Sequence, residues 1–166
     1  MRIPLKLIKS VWVRFCKQSA PERQAAINEF VRTQPYVHEL VLSQDQEWYP
    51  NKPPTIRLHA LFIWLVFLTA HRGKIPAVTR AHIADLLLKG INQMDTIAEE
   101  SEFRANEIVN NDMRTHPQFD LFMFVAGYFT RKEDNPELTD TSIKATVSHL
   151  NTVIRAFDVA VNESNQ

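Results

Sequence analysis

The residues that could do chemistry in this sequence are its six histidines and the carboxylates near them. A di-iron bundle needs Glu-x-x-His pairs on two helices and a zinc protease needs H-E-x-x-H, and the chain contains neither spacing. Asp112 and His116 are four residues apart, but a histidine that precedes a proline at a helix end is explained by the helix dipole. His82 and Asp85 form a single H-x-x-D pair, which supplies too few ligands for a metal. We therefore predict no metal site and no cofactor.

Nucleophilic catalysis needs a base within hydrogen-bond reach of the nucleophile, and no motif of the chain supplies one. The sequence has no G-x-S-x-G elbow and no glycine-rich phosphate loop. Cys16 lies among basic and aromatic residues, but no histidine is marked as its partner. An active site assembled from distant residues leaves no motif, so an enzyme stays as the last-ranked alternative. Such a site would need two or more of His59, His71, His82 and His116 in one pocket.

An aromatic pair and the cations that follow it are the best candidates for a binding role. Residues 43–54 are predicted to form a polar, proline-rich connection, in which Trp48 and Tyr49 are costly to leave in water. Such a loop either folds back on the core or offers a contact surface. The candidate partner-binding residues are Trp48, Tyr49, Lys52, Arg72, Lys74 and Arg80.

Charge is distributed unevenly along a chain whose net charge is zero. Residues 1–84 contain 12 Lys and Arg and 5 Asp and Glu, whereas residues 85–166 contain 7 and 14. A basic half can attract a polyanion or an acidic partner, although two oppositely charged halves can also face each other within one fold. Nucleic-acid binding is therefore the alternative function. The cations that could track phosphates, in a stretch without acids, are Lys52, Arg57, Arg72, Lys74 and Arg80.

Length and composition predict one globular domain over residues 1–166, because 45% apolar residues suffice for a core without metal or disulfide support. A single cysteine excludes an internal disulfide, and the N-terminus lacks a signal-peptide cleavage pattern, so a cytoplasmic location is expected. The longest apolar run is too short to cross a bilayer once Arg57 and His71 close it. An integral membrane protein is therefore not expected.

Apolar periodicity and the scarcity of glycine predict an all-α fold, a single-domain helical bundle of six or seven helices. Residues 56–72 are apolar on every side, which predicts a buried central helix that begins at Thr55 as its cap and ends before Gly73. Residues 118–130 form a second nearly all-apolar helix, which we expect to share the centre of the bundle. At the chain ends, residues 1–18 form a basic amphipathic helix that could lie at the periphery, and residues 162–166 are expected to fray.

Capping patterns predict the other helices. Ser19 and Glu22 form a capping box for a helix over residues 20–33, which a short helix over residues 36–42 follows. Either Thr139 or the next residue, Asp140, is expected to cap the last helix.

Residues 79–104 suggest a helix-turn-helix unit. Thr79 is expected to cap a helix over residues 80–89 that ends at Gly90, and a second helix is expected over residues 95–113. The second helix carries four acids before its first base, and these would repel phosphates. We therefore favour an ordinary helical hairpin over a DNA-binding unit.

The last helix has the clearest periodicity in the chain. Its apolar residues alternate in steps of four and three, with an entirely polar stripe opposite. This spacing describes either packing within the bundle or the seam of a homodimer, and packing within the bundle is favoured. The seam residues are Ile143, Val147, Leu150, Ile154, Phe157 and Val161.

These patterns favour a non-catalytic cytoplasmic protein that acts by binding another macromolecule, a protein in the first instance. It would serve as an adaptor, an inhibitor or an assembly subunit, through an apolar patch with a charged rim on a rigid bundle. The nucleic-acid-binding accessory protein and the enzyme stay open as alternatives.

Overall fold

A computed structural model of the chain describes residues 2–48, 55–130 and 139–164, which form eight α-helices and no strand. The predicted all-α bundle is confirmed, with eight helices where six or seven were expected. In chain order they are α1 (Leu5–Lys17), α2 (Ala20–Thr33), α3 (Pro35–Trp48), α4 (Thr55–Ala70), α5 (Arg80–Glu99), α6 (Glu102–Arg114), α7 (Phe119–Thr130) and α8 (Asp140–Glu163).

The central helix of the bundle is α4, as the sequence predicts. Nine of its residues are buried, because α1, α2, α3 and α8 all pack against it. Its end is also confirmed: Gly73 has a positive φ of 80° and donates its N–H to the carbonyl of Leu68 at 2.7 Å. Among the described residues, no helix is both long and apolar enough to cross a membrane.

Helix α7 is less enclosed than the sequence predicts. Its inner side buries Leu121, Val125 and Phe129, but Met123 and Tyr128 are exposed on the other side. Helix α7 packs mainly on α8 and also contacts α1. Helix α4 is more completely enclosed, since Thr69 is the one exposed residue between Thr55 and Ala70.

The apolar seam of α8 is used within one chain. Five of its six residues are buried, because α8 packs against α4, α5 and α7, and Val147 is half-buried. A homodimer through this seam would have to displace those helices, which removes the basis for that alternative. The residues concerned are Ile143, Val147, Leu150, Ile154, Phe157 and Val161.

Helix α3 continues to Trp48, six residues beyond its predicted end at residue 42. The continuation places Asp45 at the start of α4, where its carboxylate accepts the backbone N–H groups of Ile56 at 2.8 Å and Arg57 at 2.9 Å. Burial raises the pKa of Asp45, and these N–H groups oppose that rise. The predicted cap, Thr55, is instead the first residue of α4. A side chain from another helix therefore supplies the cap.

Helix α5 does not end at Gly90 but runs through it to Glu99, so the predicted helix end at Gly90 is wrong and the turn that a helix-turn-helix unit would need there is absent. One glycine inside a helix costs only about 1 kcal/mol, which the packing of α5 on α8 offsets. The break comes at Ser101, whose hydroxyl accepts the N–H of Arg104 at the start of α6.

The structure confirms three other caps, and it extends α8 further than the sequence predicts. Ser19 forms the predicted capping box with Glu22, and Thr79 and Thr139 cap α5 and α8 through their side chains. Glu163 lies in the last turn of α8 rather than in a frayed tail.

We expect Trp64→Ala to lower the free energy of unfolding by about 3 to 5 kcal/mol, because it empties a buried site beside Phe30, whose ring centroid is 5.7 Å away. Trp64→Phe is the matched control. It keeps an aromatic ring and removes a buried indole N–H that has no hydrogen-bond partner, so a loss below about 1.5 kcal/mol is expected. Chemical denaturation of both variants measures the difference, and an Ala variant as stable as the parent would contradict the assignment of the core.

We expect Asp45→Ala to lower the free energy of unfolding by about 2 kcal/mol, because it leaves the N–H groups of Ile56 and Arg57 without their acceptor. Glu39→Ala removes an exposed acid from the same helix and should change stability little. Equal effects of the two substitutions in denaturant titrations would show that Asp45 does not act as a cap.

Candidate interaction surface

The structure does not gather the predicted contact residues into one cluster. The side chain of Trp48, and all of Tyr49 and Lys52, lie outside the described residues. Arg72 and Lys74 are exposed on the turn that follows α4. These two cations pair with no carboxylate in the part of the chain that the structure describes.

Arg80 is held at the first turn of α5 by two contacts with α3. Its guanidinium pairs with Glu39 at 3.2 Å and lies over the ring of Tyr36, 5.2 Å from the centroid. Arg57, another member of the predicted basic strip, is half-buried, and its Nε atom is buried without a hydrogen-bond partner. The predicted phosphate-binding cations therefore differ in exposure: Arg72 and Lys74 are exposed and unpaired within the described residues, whereas Arg80 is paired and Arg57 is half-buried.

The largest concentration of exposed apolar side chains lies on α5, and sequence reasoning missed it. Leu88, Ile91 and Met94 are 57%, 58% and 70% exposed. With Ala84 and Leu87, which are also exposed, they recur at helical spacing and form one stripe along three turns. We call these five residues the α5 face.

The α5 face begins at a groove between α3 and α5. This groove has a volume of about 360 Å³, and its apolar wall includes Tyr36, Leu40 and Ile83 together with two residues of the α5 face, Ala84 and Leu87. Glu39 and Arg80, which pair with each other, also line it. A concave apolar site therefore adjoins an apolar ridge on the same helix.

Helix α5 exposes this stripe because it has more apolar residues than its packing uses. Ile83 is buried and Leu86 packs against the core, on the side of the helix that contacts α8. Leu87 borders the groove beside Ile83, whereas Leu88 lies on the opposite side of the helix from Leu86. The run Leu86-Leu87-Leu88 is the sequence signal for a second apolar face, since three successive helical residues cannot share one face.

Helix α6, which follows α5 in the chain, also exposes apolar side chains. No residue of α6 is buried, and Phe103 is 73% exposed. Its C-terminal part is tied to α8 by Asp112, whose two carboxylate oxygens both accept from Arg155 Nη2, at 2.9 and 3.0 Å. The Asp112–Arg155 ion pair is therefore a polar contact that ties α6 to α8, and no fully buried residue of α6 adds to it.

The far end of the α5 face is strongly acidic. No basic residue occurs between Lys89 and Arg104, and both of these cations are engaged in pairs along their own helices, with Asp85 at 2.7 Å and Glu107 at 3.0 Å. Within the described residues, the acids between them pair with no cation. These exposed acids are Asp95, Glu99, Glu100 and Glu102.

The histidines do not form a common site. His59 is buried and bonds through Nδ1 to the carbonyl of Thr55 at 2.8 Å, whereas His82 bonds to Glu163 at 2.9 Å. His116 bonds to the amide oxygen of Asn151 at 2.7 Å. Across the described residues, no two of the four candidate histidines hydrogen-bond to a common group, and no three His, Cys, Asp or Glu side chains are grouped to hold a metal.

Comparison of the chain with known proteins finds no matching family model, no matching curated protein and no matching solved structure.

We expect stability to fall as the pH drops from about 6.5 to about 4, and His59 to be the main cause. Burial lowers the pKa of His59 from 6.5 to about 4, so in this range the unfolded chain holds a proton that the folded chain does not. The stabilisation that comes from keeping His59 neutral is fully present above pH 6.5. Below about pH 4 it is lost, and the free energy of unfolding is then lower by about 3 kcal/mol. Burial lowers the pKa of His38, His71 and His116 in the same direction, so part of the slope will remain without His59.

His59→Phe isolates this effect, because it keeps a ring among Trp12, Tyr128 and Phe129 and cannot titrate. Denaturation of both proteins at several pH values measures the slope. A variant with the slope of the parent would show that His59 does not carry it.

Proposed function

We propose that this chain is a non-catalytic cytoplasmic protein that binds another protein through the α5 face, as an adaptor, an inhibitor or an assembly subunit. The observation that carries the proposal is the exposure of Leu88, Ile91 and Met94 on a bundle whose other large apolar side chains are mostly buried. A continuous exposed apolar surface of this kind is typical of an interaction site. The single cysteine, Cys16, is free and exposed, which agrees with a reducing compartment.

The physical reason is the cost of leaving these side chains in water. Burying a leucine, isoleucine or methionine side chain completely contributes about 1.5 to 3 kcal/mol. A partner that covers the α5 face and fills the groove beside it would gain that energy, and the acids at its far end would form part of a polar rim. Of the residues predicted from the sequence, Arg80 borders the groove and belongs to the proposed interface.

A second candidate function, binding to nucleic acid, is favoured by α1. This helix contains no acid, and its cations Lys6, Lys9, Arg14 and Lys17 are all exposed. No carboxylate of the described residues pairs with any of them. Phosphate binding through these cations would weaken steeply as salt rises, whereas binding through the α5 face would depend mainly on apolar contact.

The two candidates make different predictions for tagged full-length protein recovered from its native cell with and without nuclease. We expect the same partner protein after nuclease treatment, and its loss when Leu88→Asp and Ile91→Asp are combined, because two charges then interrupt the apolar stripe. Val13→Asp is the matched control, since Val13 is an exposed apolar residue on α1, 51% exposed. Circular dichroism of each variant checks that it is folded.

A partner that is retained by the Leu88→Asp, Ile91→Asp variant but lost in Val13→Asp would place the interface on α1 and contradict the proposal. Recovery of nucleic acid alone, abolished by nuclease, would replace it with the second candidate.

A further inference from the structure

We infer that the α5 face accepts a basic amphipathic helix from a different protein. The inference rests on the proposed function and goes beyond it by naming the chemistry of the partner: an apolar stripe flanked by lysine or arginine. It follows from the shape of the surface, from its charge, and from the burial of the apolar side of the chain's own basic helix, α1.

The shape of the surface suits a helix. From Ala84 to Met94 the α5 face is about 15 Å long, which matches three turns of a partner helix. A helix docks by placing apolar side chains from successive turns against such a surface, and the groove lined by Tyr36, Leu40 and Ile83 offers a place for one of them. The stripe is formed by side chains of a regular helix, which presents no free backbone edge for a strand to pair with.

The charge of the surface selects a basic partner. Met94 is followed at once by Asp95, and Glu99, Glu100 and Glu102 lie between it and Phe103, with no cation among them. Within the described residues none of these acids pairs with a cation, so no ion pair there offsets their negative field. Lysine or arginine beside the apolar stripe of a partner would complete charge pairs there, whereas a nucleic acid or an anionic membrane would be repelled.

Among the helices that the structure describes, a second copy of this chain offers no free basic amphipathic helix. Its most basic amphipathic helix is α1, but the apolar residues Ile8, Val11 and Phe15 are already buried by packing on α4 and α7. Exposing them would mean removing α1 from its own bundle. The occupant is therefore a helix of another protein.

Fluorescence anisotropy with a labelled peptide tests the inference on the full chain. The probe is a helical peptide of about 18 residues with leucine on one face and lysine on the other, and its control has glutamate in place of lysine. We expect the lysine peptide to bind and the glutamate peptide not to bind. Raising the salt from about 0.05 M to about 0.5 M should weaken the binding severalfold, because the charge pairs lie at the rim.

The double variant Leu88→Asp, Ile91→Asp separates apolar docking from simple charge attraction. It makes the surface more acidic, so charge alone would tighten binding of the lysine peptide. Apolar docking instead predicts that the dissociation constant rises about tenfold or more, because two buried side chains are lost. Val13→Asp adds an acid to α1 and should change the constant less than about twofold.

Binding of the lysine peptide that the double variant does not weaken would overturn the inference, because the contact would be electrostatic only. Binding of the glutamate peptide through the same residues would show that the partner need not be basic. That result would overturn the inference and leave the proposed function in place. Binding of neither peptide would also overturn the inference, whereas the recovery experiment decides the proposed function separately. Self-association in sedimentation that the double variant abolishes would assign the α5 face to a second copy.

Discussion

The constraint on which this structure depends is the need to enclose α4 on every side. A helix that is apolar all round has no face to leave in water, so neighbours must cover its whole surface. The apolar faces of α1, α3 and α8 serve this purpose, and α2 and the aromatic rings of α7 also contact α4. The basic exterior of α1 follows, since Ile8, Val11 and Phe15 are buried in the interior and the lysines and arginines lie on the solvent side, together with the exposed Leu5 and Val13.

Helix α5 differs from the helices that pack on α4, because part of its apolar surface stays exposed. Its inner side packs on α8 and α3, but none of the eight described helices buries Leu88 or Ile91, and α6 buries none of its own residues. The bundle therefore has a well-packed centre and an apolar edge that its own helices leave open. An exposed apolar surface of this kind is typical of an interaction site, because covering it with another protein lowers the free energy.

Polar side chains make the connections between helices, and they act over long separations in sequence. Gln34 donates to the carbonyl of Pro76 at 3.1 Å and accepts the N–H of Val78 at 2.9 Å, which fixes the segment leading into α5. Gln118 likewise accepts the N–H of Ile3 and donates to Asp158 at 2.6 Å. Each amide satisfies backbone or carboxylate groups that would otherwise be buried without partners. None of these pairs has a sequence signature, because the partners lie tens of residues apart.

The sequence by itself determined the all-α class, the central position of α4 and the caps at Ser19 and Thr79, and it narrowed the cap of α8 to Thr139 or Asp140, because periodicity and capping are local properties of neighbouring residues. Only the tertiary structure decided that α3 extends to Asp45 and beyond, and that α5 continues through Gly90, since both depend on contacts with distant helices. It also decided which apolar stripe stays open. Periodicity shows that a helix has an apolar face, but whether another helix covers that face depends on the packing of the whole bundle.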